Sequence, residues 1–405
     1  MQLDWLARNG KIILLEKAVR TIPYGFLGVL FPIYLSQLGF GPVAVGLVLT
    51  LTTVTSAFYT FIASLVTDRI GRRRTLIFFA LTDCVAAAVL FLSTSPWAPV
   101  AAGIIGNMSV GAGEVGPYLS LEQAILPTAS DSSRRTLTFS VYNLVGYGAA
   151  GSGALIAGLP QFSGTGLAAY RPLFLGYLVT GLLGVALYST MSRGVEQNTS
   201  SPTARRVLSE PSKRIVLKLS ALFAVDSFGG GFIGLSIIPY YFFLRYHLQL
   251  SSLGPLIAAS QVVTAISFLV AERISRRIGL IRTMVFTHIP SNLFLTAIPF
   301  APSAVTAIFL LLCRQSLSQM DVAPRQSYVM SVVPQSDRTA AAGLTNSTRS
   351  FSQSISPFLA GSAIENLWVG SPFVFAGVLK LGYDLALYET LHRRKPSDKD
   401  PGYGP

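Results

Sequence analysis

Among the ionisable residues inside the long apolar stretches of the chain, four stand out: Glu114, Asp226, Arg314 and Asp321. A charge in such surroundings is costly, so it faces the interior of a helix bundle, where it pairs or does work. Glu114 lies about 16 residues into the run 98–126, in NMSVGAGEVGPYLSLEQAILP, and Glu122 follows eight residues later on roughly the same helical face. Asp226 lies about twelve residues into the run 214–244, just before Gly229-Gly230-Gly231. A glycine triplet can break a helix and present bare backbone to a solute. In CRQSLSQMDVAPRQSYVMSVVP, Arg314 and Asp321 are seven apart and share a face, and Arg325 stands four beyond Asp321, in reach of an ion pair. With arginines on both sides Asp321 is expected to stay ionised. Asp226 and Glu114 have no basic residue within four positions and are the expected proton carriers, Asp226 first because of its depth.

Other polar residues carry less. Lys380 and Asp384 have i,i+4 spacing and are expected to neutralise each other. Asp83, and His288 ahead of Pro290, read as structural. Tyr24, Tyr34, Tyr240 and Tyr241 could stack on an organic solute or sit at an interface. Cys84 and Cys313 form no CxxC pair, three histidines make no metal box, and there is no phosphate-binding glycine loop and no Ser-His-Asp spacing. An enzyme, a metal or an organic cofactor is not indicated.

The elements that must hold these residues are membrane helices. Only 12% of the 405 residues are charged and 51% are hydrophobic, against about 25% charged in a soluble domain. Mean hydropathy is +0.54. Twelve apolar runs follow one another at 13–38, 42–66, 75–95, 98–126, 136–159, 171–190, 214–244, 253–271, 280–300, 303–333, 338–363 and 370–391, and about 20 residues suffice to cross a bilayer. The net charge of +13 comes from short basic clusters in alternate gaps, at 69–74, 134–135, 193–214, 273–282 and 338, and from 393–399. That asymmetry places both ends in the cytoplasm and argues against nucleic acid as a partner. The opening MQLDWLARNGKIILLEKAVR reads as a leader into the first helix, not a cleaved signal.

The chain repeats itself. GFLG at 25–28 returns as GFIG at 231–234, and Pro32 as Pro239. DRIGRRR at 68–74 returns as ERISRRI at 272–278. Pro117 and Pro127 return as Pro324 and Pro334, and Arg135-Thr136 with Asn143 as Arg338-Thr339 with Asn346. Five matches in one order, offset by 203 to 207 residues, indicate two parallel six-helix halves. The halves are 1–190 and 214–392, joined by the polar linker 191–213 and followed by the tail 393–405.

This architecture, with Asp68, Arg69, Gly71, Arg72 and Arg73 after the second helix, resembles the major facilitator superfamily, whose signature there is G-x-x-x-D-R-x-G-R-R. Ser64 stands where that signature opens with glycine. The resemblance implies an all-α membrane fold of twelve helices in two pseudo-symmetric bundles. It implies that the first, fourth, seventh and tenth helices line a solute cavity. It also implies that the Asp68 loop is a cytoplasmic gate; Glu122 and Arg325, counted with that gate, are expected in a structural ion-pair network that locks two helices near the cytoplasm. The arginine common in the family's fourth helix is Asn107 here, and the repeat maps Asn107 onto Arg314 and Glu114 onto Asp321. The fifth helix has the glycines of the family's antiporters without their internal proline.

The expected protein is a secondary active transporter of the plasma membrane, moving a small organic solute by alternating access, with proton-coupled efflux as the leading form. Its compact plan resembles prokaryotic efflux members. The solute cavity or coupling site is expected from Glu114, Asp226, Arg314, Asp321, Asn107, Tyr34 and Tyr240. The partners are a small solute, protons and lipids, and the working unit is a monomer. Uptake or facilitated passage of an anionic metabolite bound by Arg314 and Arg20 is the alternative within transport. A receptor or scaffold that kept the fold is the alternative outside it.

Overall fold

The computed structural model describes residues 6–108, 116–126, 135–162, 166–192, 195, 210–333 and 338–392. Among them every regular element is helical. Five spans are single helices in the first half: α1 (Arg8–Gln37), α2 (Pro42–Ile70), α3 (Arg72–Leu92), α6 (Arg135–Ile156) and α7 (Arg171–Ser189). The fourth span is broken into α4 (Ala98–Ile105) and α5 (Pro117–Ile125). In the second half the seventh span is α8 (Glu210–Gly231) followed by α9 (Ile237–Tyr246), and the tenth is α12 (Ala304–Leu317) followed by α13 (Val322–Ser331). The other four are α10 (Leu250–Ile278), α11 (Leu280–Ala297), α14 (Arg338–Asn366) and α15 (Ser371–His392). Fifteen helices thus make twelve spans, and the fourth and tenth, equivalent in the repeat, are both interrupted.

Local chemistry explains the breaks. Past Gly106 the backbone amide of Asn107 leaves the helix ladder and donates to Asp83 Oδ1 at 2.9 Å. Gly116, at φ 151°, restarts the span next to Pro117, whose ring suits the first turn of α5. The seventh span ends its first helix at Gly231, the last of the predicted triplet. These glycines serve close packing as well as the break. A Cβ on Gly231 would strike the Gln353 carbonyl and the Ser356 side chain of α14, and one on Gly229 would crowd Lys380 of α15. The carbonyl of Phe228 accepts from Ser356 Oγ at 2.7 Å, so that piece of freed backbone is already satisfied.

Two corners depend on left-handed glycines. Gly71 joins α2 to α3 at φ 99°, and Gly279 joins α10 to α11 at φ 86°. Arg69-Ile70-Gly71 therefore corresponds to Arg277-Ile278-Gly279. The motif offset is 208 residues, which corrects the ERISRRI register expected from sequence. An L side chain at such a φ costs roughly 1–2 kcal/mol. Gly71→Ala is expected to lower the melting temperature of the purified protein by several degrees. Gly148→Ala, at a helical position with open space around it, is expected to leave it unchanged.

The described chain forms two compact units. Unit 1 comprises Met1–Pro202, Ile233–Val262 and Pro357–Val369; unit 2 comprises Thr203–Phe232, Val263–Ser356 and Gly370–Pro405. In unit 1, α1 packs along α6, and α3 along α7. The core joins Ile13, Leu14, Leu76, Phe79, Tyr118, Tyr142 and Tyr188. The end of α14 that belongs to this unit lies on α2. Gly361 meets the Pro42 carbonyl and Gly46, the amide of Phe358 donates to Thr50 Oγ1 at 2.9 Å, and Glu365 accepts from the Val43 amide at 2.9 Å. In unit 2, α15 packs on α8 and α11 around Val216, Phe223, Met284, Tyr328 and Tyr383.

The distribution of polarity is the reverse of a soluble protein's. Phe58, Phe61, Phe309 and Phe351 are exposed, whereas Glu16, Lys17, Arg20, Asp83, Glu122, Asp226, Asp321, Arg325, Lys380 and Asp384 are buried. Apolar side chains facing outward over closed helical ladders suit hydrocarbon. Five of the described helices are by themselves long and apolar enough to cross a bilayer.

Candidate functional site

The buried charges fall into one network in each unit. In unit 1 the centre is Arg20 on α1. Its Nε donates to Glu16 Oε1 and Oε2 at 3.1 Å, and its Nη2 donates to Glu122 Oε2 on α5 at 2.9 Å. Tyr188 of α7 bridges the two acids, with its hydroxyl 2.6 Å from an oxygen of each. Tyr142 donates to Glu122 Oε2 at 2.6 Å, and Lys17 donates to Tyr142 at 3.2 Å. The guanidinium lies over the Tyr118 ring, 4.1 Å from its centroid. A planar five-donor fork can serve two carboxylates and a ring face at once, which an ammonium cannot.

A second knot in unit 1 surrounds Asp83 on α3. Tyr118 and Tyr177 donate to its oxygens at 2.8 and 3.0 Å, Tyr24 lies at 3.3 Å, and the Asn107 amide supplies a fourth donor. Tyr24 also donates to the Asn107 carbonyl at 3.0 Å, and Ser56 donates to the Asn107 side chain at 2.8 Å. The interruption of the fourth span is thereby fastened to α1, α2, α3 and α7. Asn107 belongs to this scaffold, and its side chain is bound by Ser56.

In unit 2 the centre is Asp226 on α8. Lys380 Nζ of α15 lies 2.5 Å from Oδ1, and Arg325 Nη1 of α13 lies 3.3 Å from Oδ2. Arg325 also holds Asp321 at 2.7 Å, the i,i+4 pair expected from sequence. His288 stands between two acids, with Nε2 3.8 Å from Asp226 and Nδ1 2.7 Å from Asp384. Asn292 donates to the other oxygen of Asp384 at 2.8 Å. Arg349 of α14 donates from Nε to Ser227 at 2.9 Å. Arg314 is buried on α12, its Nη1 donating to Gln315 and its Nε without a hydrogen-bond partner.

The two networks are related by the repeat with their charges reversed. Arg20 stands five residues before Gly25, and Asp226 stands five before Gly231, the equivalent glycine. The cation on α1 reaches an acid on α5, while the acid on α8 reaches a cation on α13. One architectural position joins the first and fourth spans, and the seventh and tenth, with either polarity.

Several expectations are corrected by these contacts. Asp226 is not a carboxylate without a charged partner, because α13 and α15 each bring it a cation. Lys380 does not neutralise Asp384; it binds Asp226, and Asp384 is taken by His288 and Asn292. Arg20 is fully engaged by Glu16 and Glu122 and is unavailable to an anion. Glu122 and Arg325, expected in an ion-pair network near the cytoplasmic gate, are the buried partners of Arg20 and of Asp226 and Asp321. Tyr34 packs edge-on against Tyr170 and Phe174, with centroids 5.0 and 5.3 Å away, as part of the wall. Tyr240 is buried in unit 1. At the gate motif, Gly71 makes the corner, Arg69 is exposed, Arg72 is half-buried, and Arg73 caps the Ser189 carbonyl at the end of α7. Glu114 and the Asp68 side chain lie outside the described residues, as do 196–209 of the linker and the tail. No group of three metal-ligating side chains occurs among the described residues.

Sequence reasoning missed Glu16, Lys17 and the tyrosines that serve the acids. The signal was present: Glu16, Lys17 and Arg20 form one turn within the first apolar run. Reading that segment as a leader hid it. The polar start of α1 is instead tied to the end of α7, by Asn9 to Ser192 at 2.9 Å and Arg8 to the Thr190 carbonyl at 3.4 Å.

Comparison with known proteins agrees with this build. The chain is 25% identical over 418 residues to the uncharacterized membrane protein YJR124C of Saccharomyces cerevisiae, covering 94% of this chain and 93% of that one. Its fold matches the nucleoside transporter NupG with a TM-score of 0.73 at 14% identity, over 96% of this chain and all of that one. It matches the inward-open xylose transporter XylE of E. coli with a TM-score of 0.72 at 12% identity, over 94% and 96% of the two chains. The sequence profile of the Major Facilitator Superfamily matches residues 18–357. The interrupted fourth and tenth spans, the glycine corners and the buried networks lie on a chain that belongs to the Major Facilitator Superfamily, a multi-pass membrane transporter by fold and family.

Proposed function

We propose that this protein is a proton-coupled secondary transporter that exports a small organic solute across the plasma membrane by alternating access. The observation that supports this most is the concentration of paired charges on the interrupted spans, at Arg20–Glu122 and Asp226–Arg325. A receptor or scaffold has no use for twelve buried acidic and basic side chains in a hydrocarbon slab, each costly to place there. Rearranging ion pairs is how such a bundle can change state while keeping every charge partnered. Asp226 and Glu114 are the acids we assign to coupling, Asp226 only in a state in which Lys380 and Arg325 have left it, and the Asp68 loop is assigned to the gate. The six-plus-six division at the linker 191–213 and cytoplasmic ends are part of the same reading, supported by the basic gaps.

Purified protein in liposomes that contain a pH dye, challenged with a panel of nucleosides, sugars, amines and organic acids, tests the proposal. Proton movement that depends on one solute is the expected result. Solute movement without proton movement removes the coupling and leaves a uniporter. Orientation has its own test: single cysteines at 196–209 and at both ends are expected to react only from the cytoplasmic side. Labelling of the linker from outside overturns the topology.

A further inference from the structure

Unit 2 holds more positive than negative charge. Its three buried carboxylates, Asp226, Asp321 and Asp384, are all engaged: by Lys380 and Arg325, by Arg325, and by His288 with Asn292. Arg314 is 8% exposed; among the described residues no carboxylate forms a direct salt bridge with it, and the acid whose charge acts on it, Asp226, is already held by Lys380 and Arg325. Its neighbour in sequence, Gln315, takes one nitrogen, and Nε has no partner. Arg314 is ten residues into α12, roughly 15 Å from its start, which is about half the thickness of a bilayer's hydrocarbon core. A guanidinium cannot shed its proton to escape that environment, and it is too deep to reach headgroups by extending along the helix. Among the described residues no carboxylate is left for this buried cation alone, and an anion from outside the chain can supply one.

We propose that Arg314 binds the anionic group of the transported solute, so that the solute is an organic oxyanion, either a carboxylate or a phosphate ester. This rests on the reading of the protein as a solute transporter and narrows its substrate class. The guanidinium fork fits two oxygens of either group. Arg20 has no part in the site, because two glutamates already occupy it.

Melting temperatures of the full-length protein in a neutral, lipid-free detergent, with benzoate, phenyl phosphate, benzamide or phenol, test the assignment. Benzoate or phenyl phosphate is expected to raise the melting temperature, and which of them acts identifies the oxyanion; the two neutral compounds are expected to do nothing. Arg314→Gln is expected to weaken the effective anion about tenfold or more, as expected for hydrogen bonds to a charged group, and Arg314→Lys to retain part of it. Unliganded Arg314→Gln is expected to melt no lower than the wild type, since it removes a buried charge that no carboxylate among the described residues bridges.

Equal responses to anions and neutral compounds, no response to either anion, or unaltered anion binding by Arg314→Gln would each overturn the assignment. So would a fall in the unliganded melting temperature of both variants, which marks a structural arginine. Liposomes separate this failure from failure of the transporter reading. If Arg314→Gln still moves the wild-type solute, the anion site is wrong and the carrier stands. If the wild type moves nothing while the anion still binds, the carrier reading fails alone.

Discussion

Arg20→Met is expected to remove most of the folded protein from detergent extracts. Glu16 and Glu122 are buried on either side of the guanidinium, and the one hydroxyl proton of Tyr188 already lies between them. Without Arg20 the remaining cation of the network is Lys17, which donates to Tyr142. Removing one partner of a buried ion pair costs about 3–5 kcal/mol, a large part of the stability of most folded domains. Arg20→Lys keeps the charge and loses the fork, so an intermediate yield is expected. Arg20→Met with Glu122→Gln removes one of the two stranded charges and should recover part of the monodisperse peak. Size-exclusion chromatography of the three variants checks the ordering. Equal yields for wild type and Arg20→Met would mean that the network does not hold α1 to α5.

Asp226→Asn has the second-largest expected effect, and it separates stability from coupling. The substitution strands Lys380, whose one ion-pair partner among the described residues is Asp226, while Arg325 keeps Asp321. The expected loss is again about 3–5 kcal/mol. Adding Lys380→Met removes the stranded cation, and the pair should fold better than Asp226→Asn alone, a coupling that a double-mutant cycle reads directly. The double variant is then the proper background for transport. If Asp226 carries the proton, the folded double variant exchanges solute across liposomes but does not accumulate it against a gradient. Gradient-driven accumulation by the double variant would remove Asp226 from coupling.

How much of this could be read beforehand depended on the distance over which each interaction acts. The twelve spans follow from apolar run length, and the Arg325–Asp321 pair from i,i+4 geometry. The end of α8 at Gly231 follows from three consecutive glycines. Each is a property of one segment. The partners of Asp226 were hidden because Lys380 is 154 residues away. The local alternative, Lys380 with Asp384, is equally allowed on a lone helix. It loses because His288 and Asn292 of α11 reach Asp384 from the opposite side. Asp83 looked idle for the same reason: its donors come from α1, α5, α7 and the break after α4. The repeat register slipped by one turn because arginine runs resemble one another at several offsets, whereas the left-handed corner admits only Gly71 and Gly279. The reversed polarity of Arg20 and Asp226 was visible in the repeat itself, at the same five-residue spacing from GFLG and GFIG.

The central claim is that this chain is a carrier that presents one solute to the two sides of the membrane in turn. Counterflow tests it most directly. Liposomes containing the protein are preloaded with the unlabelled solute found in the panel, diluted into a trace of the same solute in radiolabelled form, and followed with no pH or voltage gradient. A carrier gives a transient accumulation of label well above the external concentration, absent from protein-free liposomes and from liposomes without preload. Label that only equilibrates, at a rate indifferent to preloading, would show a pore or no transport activity and contradict the account.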